Sequence, residues 1–241
     1  MNEVIQTIRQ HRSFRNYKNT PVPVDKLELV LEAAQWAPSW IHGQQVTVIS
    51  IKDEDRKEKL SRLVGNQAHV NQAPVFLIFC MDFHRAFLAG EKDGKQLKAL
   101  DDVDALLVGA TDVGLAMSNA ITVAESFGLG TVPIGGIRRN PLDVIDLLEL
   151  PSYVVPISGL CLGYPDHDPG QKPRIPTSLF HHEEMYQKPS QEELDKYDEV
   201  MKEYTQTMTW SSRIAEFYEK SYYQDIAAML KKQGFTCKNM K

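Results

Sequence analysis

Apolar residues recur along this chain in two rhythms, and the switches between them mark out its elements. Val4, Ile5 and Ile8 fall at helical spacing and predict a short first helix that ends near a cluster of cations. The break "NTPVPVD" follows, and Asp25 with Glu28 three residues later reads as the N-cap of a helix running to about Ala37. "VTVISI" and "PVFLIFCM" are β-branched and apolar, and predict central strands on either side of the charged helix "DEDRKEKLSRLV". From Val103 to Phe127 nearly every turn is apolar, with small residues at Ala105, Gly109, Ala116 and Ala120. That is the pattern of a buried central helix which another backbone approaches closely. A strand near Val132, a helix "PLDVIDLLEL" capped by Asn140 and the strand "VVPISGLCLGY" come next. Beyond "HDPGQKPRIP" the pattern turns polar and helical, giving an excursion over about 178–221 and a terminal helix in "QDIAAMLKKQG". Helices and strands mix without strict alternation. The expected fold is therefore α+β, a mostly antiparallel central sheet flanked by helices with a C-terminal helical excursion, in a single domain over 1–241.

Charge narrows the partners. Lys and Arg total 27 against 32 Asp and Glu, a net charge of −5, so no whole-chain electrostatic argument favours nucleic acid or an anionic membrane. Any anion site must be local. The longest uninterrupted apolar windows, around Val75 to Met81 and Ala105 to Ala110, fall short of the roughly 20 residues that cross a bilayer. "MNEVIQTIRQ" lacks the apolar core of a signal peptide, and a cytoplasmic protein is the expectation. Cys80, Cys161 and Cys237 show no C-x-x-C or metal spacing; the first two sit in strand-like runs and read as inert core thiols. The histidines form no H-x-x-x-H or H-E-x-x-H pair, so no metal site is expected.

Three short places carry the candidate chemistry: "HRSFR" at His11 to Arg15, "PIGGIRR" at Pro133 to Arg139 and "GQKPRIP" at Gly170 to Pro176. Each has a plain alternative. Arg12 and Arg15 also suit the C-terminal end of a helix dipole, "GGIRR" suits a strand-end turn, and Lys172 with Arg174 suits a solvated loop. The K-P-R spacing in an extended segment points both side chains the same way, as an anion clamp requires. No Walker loop, no G-x-G-x-x-G after a strand and no G-x-S-x-G elbow is present, which argues against a P-loop, a Rossmann site and serine hydrolase chemistry.

Taken in order, H-R-S-x-R, "GNQAHV" at Gly65 to Val70, I-G-G-I-R at Ile134 to Arg138, K-P-R at Lys172 to Arg174 and T-W-S at Thr209 to Ser211 resemble the FMN-dependent nitroreductase/flavin reductase family. The closer likeness is to its larger branch, the oxygen-insensitive NADPH nitroreductases and NADPH:flavin oxidoreductases, over nearly the whole chain. The resemblance implies that His11, Arg12, Ser13 and Arg15 lie along the FMN phosphate, ribityl chain and pyrimidine edge, and that Lys172 and Arg174 complete the cradle. It implies that Gln67 and the loop around Ser39 reach the flavin, often from the other subunit of a homodimer. Ile134, Gly135 and Gly136 would line the ring edge, with Arg138 close by. The implied activity is an NAD(P)H oxidoreductase working by ping-pong two-electron transfer to nitroaromatics, quinones or flavins. The alternatives are a reductase supplying free reduced flavin and a non-catalytic flavin-binding redox sensor. A fixed cation beside reduced flavin would stabilise its negative charge, and the absence of a catalytic triad fits chemistry carried by the cofactor.

The chain departs from the branch in two places. The loop "APSWIHGQQ" keeps only Ser39 of a stretch often rich in serine, and Trp40 and Ile41 read either as narrowing an acceptor pocket or as interface residues. The stretch before T-W-S, usually basic in NADPH-preferring relatives, has no cation between Lys202 and Arg213. The expectation is that NADH serves nearly as well as NADPH, or better.

Overall fold

The computed structural model describes residues 2–240. In chain order the elements are α1 (Glu3–Arg9), α2 (Val24–Gln35), β1 (Val46–Ile51), α3 (Glu54–Leu63), α4 (Ala68–Gln72), β2 (Val75–Asp82), α5 (His84–Asp93), α6 (Val103–Ser126) and β3 (Gly130–Ile134). They continue with α7 (Pro141–Leu148), β4 (Val154–Gly163), α8 (Thr177–Phe180), α9 (Gln191–Thr205), α10 (Trp210–Tyr218) and α11 (Ile226–Lys232). The four strands form one sheet in the order β1-β2-β4-β3, every neighbouring pair antiparallel. The α+β expectation holds.

Strand β2 explains the layers. All eight of its residues are buried, so both faces of the pleat are covered. Val75, Leu77, Phe79 and Met81 join a cluster with Val30 and Ala34 of α2 and Val113, Ala116 and Ala120 of α6. The alternate residues Phe76, Ile78 and Cys80 pack with Leu60 of α3, Val70 of α4 and Val144 of α7. Burying each such large side chain is worth about 1.5–3 kcal/mol, which is why an uninterrupted apolar run sits at the centre of the sheet. Burial pushes the Cys80 thiol up to about 12 and raises that of Cys161, so both are core thiols kept protonated. In α6, Gly109 lets the helix approach β2, because a Cβ there would come within 2.9 Å of the Met81 side chain.

Several local expectations are corrected. Helix α2 begins at Val24 behind Pro23, with no side-chain cap, and Asp25 lies inside its first turn. Pro23 pre-sets the backbone, so the helix starts one residue before the polar side chain that suggested a cap. Strand β1 is an edge strand and only half-buried along most of its length. Asn140 precedes α7 but spends its amide on the Leu63 carbonyl at 2.5 Å. Helix α6 is buried along one face only; Leu107 and Leu115 on the other are exposed. Taken whole, its 24 residues have the length and composition of a membrane-crossing helix, which the short uninterrupted windows did not suggest. Core helices share those properties, and here the small-residue face, with Asp112 in it, is buried.

The chain divides into two compact units, one made of residues up to Pro169 together with those from Tyr223 on, the other Gly170–Tyr222. The first is closed by its C-terminal segment: Gln233, after α11, donates to the carbonyls of Pro151 and Val154 at 2.7 and 2.5 Å. In the second, Ser190 and Glu193 form a reciprocal capping box for α9, and Thr209 caps α10.

Candidate functional site

The stretch after α1 has no helical period, and the structure shows what it does instead. Ser13 pairs with Thr131 in a parallel bridge, and the Phe14 amide donates to the Thr131 carbonyl at 3.0 Å. "HRSFR" is thereby laid along β3. His11 Nδ1 lies 2.8 Å from Glu125 Oε1, which also accepts from the Thr131 hydroxyl at 2.7 Å. This shared carboxylate at the end of α6 fixes the imidazole. Arg12 donates from Nε and Nη2 to both oxygens of Asp168 at 2.6 Å each, and from Nη1 to the Gln10 carbonyl at 2.6 Å. The bidentate pair holds the guanidinium charged and raises its pKa further. Arg15 is exposed, its Nη1 3.5 Å from the Ser13 carbonyl.

Strand β3 ends at Ile134 and turns through Gly135–Arg138 as a 3-10 helix. Gly136 is required by close approach: a Cβ would sit 2.4 Å from the Val64 carbonyl oxygen and 2.5 Å from Gln67 Nε2. The Gln67 amide donates to that same Val64 carbonyl at 2.8 Å. Arg138 donates to the Ile157 carbonyl and lies over the Tyr223 ring. Next to Gln67, His69 carries the one buried side-chain nitrogen, Nε2, with no hydrogen-bond partner among the described residues. Burial, and then the charge of Arg15, lower its pKa, so the ring is held neutral.

His11, Ser13, Gln67, Ile134, Gly135, Gly136 and Arg138 thus gather around β3 and the turn that follows it, with Arg12 and Arg15 on the same segment. Lys172 and Arg174 belong to the second unit, in an exposed stretch without regular structure, where the Pro173 carbonyl accepts from Tyr197 at 3.1 Å. Ser39 has other neighbours: its hydroxyl accepts from the Gln44 amide at 3.2 Å, and it lines a cavity of about 590 Å³ with Glu28, Glu32, Arg85 and Asp112. Sequence spacing did not mark Glu125, Asp168 or His69, although His69 lies inside the "GNQAHV" stretch.

A model of the nitroreductase family matches residues 8–164, and one of that family's C-terminal domain matches 172–238. The chain belongs to the nitroreductase family. Among its relatives, an FMN reductase [NAD(P)H] of Bacillus subtilis is 47% identical, the match covering 98% of each chain. An oxygen-insensitive NADPH nitroreductase of Salmonella typhimurium is 39% identical over 98% of this chain and 99% of its own. The solved NADPH:FMN oxidoreductase of Vibrio harveyi, complexed with NAD+, superposes with a TM-score of 0.92 at 33% identity, covering 98% of this chain and 99% of that one. The first cationic segment meets β3 at Thr131, near its start, and Gln67 meets Gly136 in the turn after its end.

Proposed function

We propose that this nitroreductase family member is an FMN-dependent NAD(P)H oxidoreductase, acting as a cytoplasmic homodimer with one non-covalent FMN per chain. The observation that carries the reading is the turn after β3, where Gly136 packs against Gln67, together with His69, two residues on from Gln67 in α4, whose buried Nε2 has no partner among the described residues. A buried unpaired nitrogen costs about 1–3 kcal/mol, so a polar ligand at that place would recover stability the folded chain gives up. These residues fit the flavin. Bound FMN would supply the two-electron chemistry linking reduced nicotinamide to a nitroaromatic, a quinone or a flavin.

The chain's own residues hold and tune. Arg12, already oriented by Asp168, would meet the phosphate end, and we extend that role to Lys172 and Arg174. Arg15 would place a fixed cation at the pyrimidine edge, where negative charge collects on reduction. Ser13 and Gln67 would offer hydrogen bonds along the ribityl chain and ring, and Ile134 would cover an edge. Gly135 and Gly136 would bring backbone amides close, with Arg138 behind them held to the Ile157 carbonyl. His11 would donate or accept from a ring fixed by Glu125. A flavin reductase that releases reduced flavin uses the same residues with a different acceptor, and the name of the 47%-identical relative supports that second reading.

Glu125 gives a test of the orientation. A hydrogen bond to a charged group is worth about 1.5–3 kcal/mol, so Glu125→Ala is expected to weaken FMN about tenfold or more in a fluorescence titration, with Glu125→Gln closer to the unsubstituted protein. Equal affinity in all three would remove His11 from the flavin site. The dimer is supported by apolar side chains left exposed on α1 and α6, among them Val4, Ile8, Leu107 and Leu115. Light scattering should give twice the 27.3 kDa chain mass, with one releasable FMN per chain; a mass of 27.3 kDa would contradict the shared site.

A further inference from the structure

Strand β4 carries an irregularity beside the turn that follows β3. Its register against β2 pairs Phe79 with Ser158 and Cys80 with Pro156, so Ile157 is skipped. On the other side of β4, the ladder with β3 ends at the pair Ile134 and Gly159. Ile157 therefore stands outside both ladders, and a bulge of this kind leaves its backbone groups to find other partners. Arg138, at the end of the turn Gly135–Arg138, donates from Nη1 to the Ile157 carbonyl.

That bond leaves the charge of Arg138 uncompensated. Among the described residues its guanidinium has a neutral carbonyl as hydrogen-bond acceptor and takes part in no ion pair, whereas Arg12 shares its charge with Asp168. A second contact holds the group in place. The ring of Tyr223, the first residue of the segment that returns to the first unit, has its centre 5.8 Å from the Arg138 guanidinium carbon. An aromatic face attracts a cation without cancelling its charge. Both side chains converge on Gly135: a Cβ there would stand 3.7 Å from Arg138 Nη2 and 4.0 Å from the Tyr223 hydroxyl oxygen. These are ordinary contact distances, so the two groups flank the glycine without crowding it.

We infer that Tyr223 is a positioning residue for flavin reduction, its ring holding the uncompensated Arg138 guanidinium beside Gly135 so that a fixed positive charge favours the reduced, anionic cofactor. The inference rests on the FMN reading, which sets Gly135 against the flavin. Reduction adds negative charge to the ring system, so a cation held at the turn binds the reduced form more tightly and raises the midpoint potential. A guanidinium free to swing into water would act through a higher dielectric and do less.

Two measurements on the purified holoprotein separate the contact from its effect. In proton–nitrogen spectra the Arg138 Nε–H signal, assigned by its loss in Arg138→Lys, should lie upfield through the Tyr223 ring current. It should keep that position in Tyr223→Phe and lose it in Tyr223→Leu. The midpoint potential of bound FMN, equilibrated against a reference dye, should fall by about 30 mV in Tyr223→Leu, an about tenfold weaker preference for reduced over oxidised FMN. In Tyr223→Phe that preference should stay within twofold of the wild type. Arg138→Gln should lower the potential at least as far as Tyr223→Leu, and combining the two should change nothing further. An unchanged potential in either Tyr223→Leu or Arg138→Gln, or the same fall repeated when Tyr223→Leu is added to Arg138→Gln, would overturn the inference. A shifted Nε–H signal in a protein that binds no FMN would sink the flavin reading and this inference with it, while leaving the contact between ring and guanidinium standing.

Discussion

Replacing Arg12 and Arg174 together with alanine is expected to yield colourless protein. Arg12 is the cation of the first segment whose direction is fixed in advance, by a bidentate pair with Asp168 and a bond to the Gln10 carbonyl. Its planar fork loses little entropy on meeting a phosphate, since those contacts already hold it. Arg174 sits beside Pro173, whose carbonyl is held by Tyr197, so its segment is also tied down. A charge-assisted contact is worth about 1.5–3 kcal/mol, so losing two costs about 3–6 kcal/mol, or two to four orders of magnitude in Kd. Flavin bound at nanomolar to micromolar affinity would not survive purification at that loss. A double variant that kept one FMN per chain would show that neither guanidinium holds the phosphate.

The second large effect concerns the nicotinamide. Between Lys202 and Arg213 the chain has no basic side chain, and the structure shows that the backbone there offers an anion little either. The Ser211 amide donates to Asp198 at 2.8 Å and the Ser212 amide to the Thr209 hydroxyl at 3.1 Å, so the first turn of α10 is already capped, partly by a carboxylate. Upstream, Gln206 turns left-handed and the Thr205 hydroxyl closes on the Met208 carbonyl at 2.8 Å. A missing charge-assisted contact to the extra phosphate of NADPH removes about 1.5–3 kcal/mol of discrimination, roughly tenfold to a hundredfold. The expected ratio of kcat/KM for NADPH over NADH is below about ten, with NADH equal or better in the limit. A preference for NADPH above about a hundredfold would mean that a group outside this stretch reads the phosphate.

What the sequence disclosed, and what it hid, follows from distance along the chain. The run at β2 was legible because a strand buried on both faces must be apolar at every position. The edge position of β1 was not, since β-branched composition describes a strand and not its neighbours in the sheet. Local spacing placed α3, and the family resemblance pointed to the "HRSFR", "GNQAHV" and "IGGIR" segments, which the fold brings to β3 and the turn after it. It could not show Glu125, which meets His11 across 114 positions, or Asp112, which meets Trp40 across 72. Polar side chains in an apolar helix look like breaks in a pattern until their partners are known. His69 is the intermediate case, inside a recognised stretch but set apart only by a ring nitrogen without a partner among the described residues.

The central claim is that this family member carries FMN and passes electrons through it, and an anaerobic titration tests it directly. The purified protein should be yellow, lose its flavin absorbance on addition of one equivalent of NADH or NADPH per chain, and regain it when a quinone or nitroaromatic is added. Protein that stays yellow with both nicotinamides, or that binds no FMN at all, would contradict the account.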